Sequence, residues 1–227
     1  MINKALIIMY HKLLCWYTTI KMNILIGTKN PYKAGVMEYV LKGIQNVNIY
    51  LLKDTKIDIE VEEDGSSLLE NAQKKAVEIS KHTDMYVLTS DGGVDIPALG
   101  DKWDILRNQR IVGHDNPDIQ KVNTLLELMK GIKKDERKVE YHLSLALALK
   151  GKLIASFEDI TDRGYIVEEL PYGDIPSGMW MGYVWYYPEL DKTYTQLNKE
   201  ELKEINKQGD GLRRKLKNVI DKIEHTV

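Results

Sequence analysis

A single cysteine, Cys15, stands in the whole chain, so there is no internal disulfide framework, and this usage fits a reducing, cytoplasmic setting. Histidine is thinly spread as well: His11, His82, His114, His142 and His225 lie far apart without metal-ligand spacing, which argues against zinc. Neither sign of charge dominates. With 32 Lys and Arg against 34 Asp and Glu the formal charge is −2, which offers no general attraction to nucleic acid or to an anionic membrane. Long hydrophobic runs are missing too. The most apolar stretch, ALIIMYHKLLCWYTTIK (5–21), is broken by His11 and Lys12, falls short of the roughly 20 residues a spanning helix needs, and has no small-residue cleavage site. Residues 1–21 therefore read as an N-terminal extension, a helix packed on the body or on a partner; a start codon upstream of Met22 accounts for them equally well. There is no internal repeat, low-complexity tract or flexible linker, and residues 22–227 are expected to form a single domain.

From Met22 onward short apolar runs alternate with helical patterns, the mark of an α/β fold. NILIG (23–27) is a strand ending in the polar turn Thr28-Lys29-Asn30. Asn30 before Pro31 starts a helix, an N-cap residue followed by proline at the first helical position, and this helix runs to about Lys42. VNIYLL (47–52) is a second strand, and LLENAQKKAVEIS (68–80) an amphipathic helix whose apolar face holds Leu68, Leu69, Ala72, Ala76 and Ile79, with Ser67 and Glu70 at capping-box spacing. MYVLTS (85–90) is the next strand and KVNTLLELMKGI (121–132) another helix. VEYHLSLALAL and KLIASFEDITDRGYIV form an antiparallel pair hinged at Lys150-Gly151, and a helix over about 209–224 buries Leu212, Leu216, Val219, Ile220 and Ile223.

Three polar turns carry the chemistry-bearing residues. GTKNPYK (27–33) offers a helix N-terminus with free backbone N–H groups, together with Thr28, Lys29, Asn30 and Lys33, and such an end binds phosphate. VEEDGSSLLENAQKKA (61–76) sets three acids before a helix bearing Asn71 and Lys75 one turn apart on one face; clustered carboxylates suit a hard cation such as Mg²⁺. VLTSDGGVDIPAL (87–99) places Asp91 where an apolar run meets the pair Gly92-Gly93, the position at which open α/β sheets bind ligands. Singly, each has an ordinary explanation: a capped helix with solvated lysines, a solvated acidic loop, and an Asp-Gly-Gly turn. Their company in one chain is what points to a metal–triphosphate site.

In order and content these motifs resemble the inosine/xanthosine triphosphate pyrophosphatases. TKNPYK is similar to that family's Thr-x-Asn-x-x-Lys loop, EEDGSSLLENAQKKA to its Glu-Glu-(Thr)-Gly…Glu-Asn-Ala-x-x-Lys-Ala block, and TSDGGVDIPALG to its Ala-Asp-Asp-Ser-Gly-Leu…Ala-Leu-Gly strand; LRNQRIVG keeps Arg110 and Gly113 of Ser-Ala-Arg-Tyr-x-Gly. The likeness runs from Met22 to Leu216. It implies a mixed twisted sheet with flanking helices, two lobes around a nucleotide-binding cleft, a homodimer, and hydrolysis of a purine nucleoside triphosphate to monophosphate and pyrophosphate. In that reading Glu63 and Asp91 hold Mg²⁺, and Asp91 also positions or deprotonates the attacking water. Thr28, Lys29, Asn30, Lys33, Lys75, Gly92 and Arg110 lie along the phosphates, with Tyr183, Lys207 and Gln208 at the base end.

The departures fall mostly at that base end. Ser90-Asp91 replaces two consecutive acids. Met181-Gly182-Tyr183-Val184-Trp185 stands for Phe-Gly-Tyr/Trp-Asp-Pro, so Val184 cannot accept a hydrogen bond where Asp would. Glu201-Leu202-Lys203…Asn206-Lys207-Gln208 stands for Glu-Lys-Asn…Ser-His-Arg, and Lys207 and Gln208 lack the bidentate geometry of Arg. The run Trp180, Tyr183, Trp185, Tyr186, Tyr187 supplies either stacking for a base or packing for the core or a dimer contact. Two functions of different class follow: a pyrophosphatase with altered base recognition, or a nucleotide sensor that binds an ITP- or dITP-like triphosphate, turns it over poorly, and signals to a partner effector protein.

Overall fold

Ile24, Leu25 and Ile26 are all fully buried, a use of consecutive apolar residues that only a strand covered on both faces permits. That strand, β1 (Met22–Ile26), is flanked by β2 (Val47–Leu51) and β3 (Tyr86–Asp95), both parallel to it. The computed structural model describes residues 21–170 and 179–224, so the expectation for the N-terminal segment up to residue 20 falls outside the described residues. The other elements are α1 (Pro31–Leu41), α2 (Leu68–Ser80), α3 (Asn108–Ile111), α4 (Asp118–Leu128), β4 (Lys138–Leu149), β5 (Lys152–Ile166), β6 (Trp185–Tyr187), β7 (Lys192–Thr193), α5 (Lys199–Asn206) and α6 (Asp210–Glu224). Seven strands form one open sheet in the order β2-β1-β3-β4-β5-β6-β7. Every pairing beyond β3 is antiparallel, so the sheet is mixed, as expected.

Local chemistry explains most boundaries. Asn30 caps α1, accepting from the N–H groups of Tyr32 and Lys33, with Pro31 at the first helical position. Ser67 caps α2 by accepting from Glu70 N at 3.1 Å. The reciprocal half of the capping box is displaced by one residue: the Glu70 carboxylate accepts from the backbone N–H and hydroxyl of Ser66, at 2.8 and 2.7 Å. The β4–β5 hairpin turns through Lys150 (φ 50°) and Gly151 (φ 76°), both left-handed, as a tight two-residue turn requires. α4 begins after Pro117 and ends at Leu128, before the expected limit of 132, because Gly131 is left-handed (φ 81°) and the chain cannot continue as helix through it. α5 and the 3₁₀ turn Lys207–Gly209 precede α6 and were not anticipated; Asn198 and Glu201 supply a complete capping box for α5.

The largest correction concerns Asp91. It sits inside β3, not in a turn after it: Asp91, Gly92 and Gly93 pair with Ser144, Leu143 and His142 of β4. The glycines are there for room, not for a turn. A Cβ on Gly92 would lie 2.4 Å from the Tyr141 hydroxyl, and one on Gly93 2.4 Å from the Ile105 carbonyl oxygen.

The long strands carry two main apolar cores. Leu88 on β3 and Leu143, Leu145 and Leu147 on β4 pack with Met37, Val40 and Leu41 of α1 and Leu212, Leu216 and Ile220 of α6. Farther along the same strands, Val94, Ile96 and Val139 pack with Val122 and Leu125 of α4 and with Trp180, Val184, Trp185 and Tyr187. Tyr141 touches both clusters and so marks the seam between two lobes. Among the described residues no helix is long and apolar enough to cross a membrane.

Candidate active site

Four charged side chains from four separate segments meet at the seam. The Asp91 side chain on β3 is 7% exposed, and its Oδ1 lies 3.1 Å from Lys33 Nζ of α1 and 3.3 Å from Lys75 Nζ of α2. Lys75 Nζ also contacts Glu63 Oε1, in the loop before α2, at 2.6 Å. Each position follows from local folding. The capped start of α1 places Lys33 above the C-terminal end of β1, while α2 lies across the sheet and is tied to β3 by the Thr89 hydroxyl donating to Ala72 O at 2.7 Å. Gly65, whose N–H donates to Asn71 Oδ1 at 2.8 Å, folds the acidic loop back on the start of α2 and so brings Glu63 within reach.

Two carboxylate oxygens thus converge on one ammonium group. A positive charge already stands between Glu63 and Asp91, both of them hard oxygen donors of the kind Mg²⁺ prefers, so the residues fit such a cation. Asp95, Glu140 and His142 form a separate group in which ligand atoms lie within 4.8 Å of one another. Sequence spacing concealed it because antiparallel pairing of β3 with β4 brings Asp95 opposite Glu140. Glu140 is already shared between His142 Nε2 at 3.4 Å and Arg163 Nε at 3.3 Å.

The other residues singled out from the sequence lie around or away from this cluster. Thr28 Oγ1 accepts from Asn30 N at 3.1 Å, leaving its hydroxyl hydrogen uncommitted to that bond. The expectation of free N–H groups at the start of α1 is not met: Pro31 has none, those of Tyr32 and Lys33 are taken by Asn30 Oδ1 at 2.9 and 3.2 Å, and that of Ala34 by Asn30 O. An effective N-cap is the physical reason. Lys29 turns outward to pair with the exposed Asp58. Gly92 adjoins Asp91 under the Tyr141 hydroxyl. Arg110 is exposed on the short α3, and Lys207 pairs with Glu204 at 2.6 Å beside the exposed Gln208. Tyr183 is half-buried in the 3₁₀ turn Trp180–Tyr183. Within the aromatic run, Trp180, Trp185 and Tyr187 belong to the second core, which favours packing over stacking for these three.

A second polar group, not foreseen, lies at the same seam. Tyr187 donates to Asp162 Oδ2 at 2.7 Å. Burial pushes the Asp162 carboxyl up to about 6, the Tyr187 bond working against that shift. The phenols of Tyr32, Tyr187 and Tyr194 are all raised, first by burial and then by the charge on Asp162 or a neighbouring phenol. Tyr141 is raised by burial, then by Tyr32 and Asp91, and so links this group to the lysine-bound carboxylate. Tyr141 and Asp162 face each other across β4 and β5. Their signal in the sequence was weak, a Tyr and an Asp within long strands; only the pairing shows that both point into the seam.

Known proteins share this plan. A sequence model of the Ham1 family matches residues 24–218. The chain is 33% identical over 190 residues to the dITP/XTP pyrophosphatase of Geobacillus kaustophilus, covering 83% of this chain and 90% of that one. It is 30% identical over 195 residues to that of Clostridium perfringens, covering 83% and 92%. In fold it matches the Ham1 protein from Coxiella burnetii with a TM-score of 0.71 at 23% identity, over 88% of this chain and 99% of that one. It also matches the nucleoside-triphosphatase / dITP/XTP pyrophosphatase from Mycobacterium abscessus, with a TM-score of 0.65 at 27% identity, over 84% and 96%. With the match spanning nearly all of the domain from β1 into α6, the chain belongs to the Ham1 family.

Proposed function

We propose that the protein is a nucleoside triphosphate pyrophosphatase acting on non-standard purine nucleotides of the dITP, ITP or XTP type, releasing the monophosphate and pyrophosphate with Mg²⁺. The observation that carries this reading is the convergence of Lys33, Lys75, Glu63 and Asp91 at the seam. The activity of the two relatives about one-third identical supports it.

Glu63 and Asp91 would hold the cation, which when bound neutralises phosphate charge and activates water. The chain's own residues account for the rest. Lys33 and Lys75 supply two ammonium groups to the triphosphate; with the backbone N–H groups of α1 consumed by Asn30, side chains rather than the helix end provide this charge. Both lysines reach Asp91 at Oδ1, and the second oxygen of the carboxylate is Oδ2. That oxygen can accept a hydrogen from a water aligned on the α-phosphorus. Attack there breaks the α–β phosphoanhydride, and pyrophosphate leaves with its charge balanced by the lysines. The changes at Lys207 and Gln208 support a reading in which base recognition, rather than phosphate chemistry, distinguishes this chain.

The test is pyrophosphate release, with Mg²⁺, from ITP, dITP, XTP and the standard ribo- and deoxyribonucleoside triphosphates. Turnover of a deaminated purine nucleotide, abolished in a folded Asp91→Asn variant, is the expected result. No turnover of any triphosphate by folded protein would refute the proposal, and a rise in melting temperature with an unconsumed triphosphate would then favour sensing.

A further inference from the structure

We propose that Asp95, Glu140 and His142 form a zinc site, separate from the cluster of Glu63 and Asp91, in which one Zn²⁺ staples β3 to β4. The site stands independently of the pyrophosphatase reading above. Strand register brings its three residues together. Asp95 pairs with Glu140 and Gly93 with His142, and residues two apart on a strand share a face, so all three side chains stand on one side of the sheet. Their ligand atoms lie within 4.8 Å of one another, and all three residues are half-buried. Gly93 sets no side chain opposite His142; the Ile105 carbonyl oxygen lies there instead, 2.4 Å from where a Cβ would be.

His142 Nε2 is buried and has no hydrogen-bond partner among the described residues. Glu140 Oε2 is 3.4 Å from it, close enough for an ion pair but beyond the reach of a charge-assisted hydrogen bond, about 2.7–2.9 Å. That spacing has another meaning. Two ligands of a tetrahedral zinc ion, each bonded at about 2.1 Å, stand about 3.4 Å apart. The other separations in the triad exceed this edge by at most about 1.4 Å, which rotation about the carboxylate torsions covers.

Charge and orientation around the triad also suit a cation. Arg163 Nε donates to Glu140 Oε1 at 3.3 Å and so fixes the carboxylate with Oε2 on the side of His142, the kind of outer bond that ligating carboxylates carry. Arg163 answers one negative charge. Among the described residues Asp95 has no basic side chain within ion-pair distance, so a second negative charge beside Glu140 is left for the ion.

Ligand chemistry selects the metal. One imidazole and two carboxylates with a fourth position open to water are a set that zinc accepts, whereas Mg²⁺ favours an octahedral shell of oxygens. The two ions therefore suit different clusters. Histidine spacing in the sequence argues against zinc because it looks for several ligands in one segment, and it misses a triad with a single histidine assembled across two strands. His142 stands opposite Gly93, two residues from Asp91, which puts the two sites about 7 Å apart along the strand. Bridged two-metal centres hold their ions about 3.5–4 Å apart, so this ion secures the β3–β4 pairing beside Asp91 and takes no part in phosphoryl transfer.

The experiment titrates ZnCl₂ into metal-stripped full-length protein in millimolar Mg²⁺, which keeps Glu63 and Asp91 occupied, and reads calorimetry and melting temperature. Wild type should take up one equivalent of Zn²⁺ that His142→Ala and Asp95→Asn lose, each binding it at least about 100-fold more weakly, while Arg163→Gln binds it about 10-fold more weakly. With free Zn²⁺ at about a hundredfold excess over its Kd, Tm should rise by about 5–10 °C in wild type and stay unchanged in His142→Ala. Glu63→Gln should keep the equivalent. A folded wild type that takes up no zinc at micromolar concentration overturns the proposal, as does a folded His142→Ala that binds with full stoichiometry and affinity, or loss of the equivalent in folded Glu63→Gln. Should both triad variants fail to fold, anomalous diffraction at the zinc edge from wild-type crystals decides. A peak between Asp95, Glu140 and His142 supports the site, and its absence there overturns it.

Discussion

Replacing Lys75 with methionine removes one of the two ammonium groups beside a carboxylate that water barely reaches. At 3.3 Å, and at an effective dielectric of about 20, the lost attraction to Asp91 is about 5 kcal/mol. Lys33 remains at 3.1 Å, and relaxation admits water, so the net destabilisation should be about 2–4 kcal/mol. For a chain of this size that is a fall in Tm of about 5–15 °C. The informative measurement is a double-mutant cycle. Asp91→Asn alone should cost about 1–2 kcal/mol, since Lys75 keeps Glu63 at 2.6 Å as a partner. In Asp91→Asn/Lys75→Met no buried charge is stranded, and the double variant should be more stable than the sum of the singles by about 2 kcal/mol. Urea unfolding with unchanged m-values supplies the four free energies. Additivity within about 0.5 kcal/mol would show that Asp91 and Lys75 do not form a coupled pair, and the electrostatic account of the site would fail with it.

Three further outcomes follow from the same geometry. Gly92→Ala drives a methyl to 2.4 Å from the Tyr141 hydroxyl and should cost about 1–3 kcal/mol, partly relieved in a Tyr141→Phe background; equal costs in both backgrounds would exclude that clash. Val184→Asp, the substitution that restores the family's acidic residue in sequence, buries an unpaired carboxylate in the second core and should unfold the protein or cost about 4 kcal/mol or more, whereas a stable variant with sharper base choice would contradict the placement of Val184. For Asp162 the folded carboxyl titrates near 6 against an ordinary value of 3.8, so between those pH values the folded state binds more protons than the unfolded one and stability falls as pH rises. The loss is of order 2 kcal/mol. Tyr32, Tyr187 and Tyr194, whose phenols are all raised, face the group and stay protonated across this window, so Asp162→Asn should flatten the stability profile there; an unchanged profile would mean that Asp162 is not desolvated.

Much of this was present in local sequence. Asn30-Pro31 and Ser67 mark helix starts through their own hydrogen bonds, the 3.6-residue apolar stripe of α6 predicts Leu212, Leu216 and Ile220 as buried, and Lys150-Gly151 marks a hairpin, because each signal is read within one or two turns of chain. The order of the polar segments around Lys33, Glu63, Lys75 and Asp91 likewise named the residues that meet. What the sequence could not decide is how they meet. Asp-Gly-Gly has the composition of a turn, and only pairing with β4, far along the chain, keeps it in a strand and makes glycine necessary beneath Tyr141 and Ile105. The same holds for the start of α1, whose N–H groups look free in sequence and are consumed once Asn30 folds over them. Asp162 is one carboxylate among many until a single extra residue, Thr161, turns it toward Tyr141, and Val184 is an aligned position until packing places it in a core. Local propensity therefore determined the elements and the identity of the charged cluster, while register, bulge and burial, which depend on residues distant in sequence, decided which side chains face the cleft.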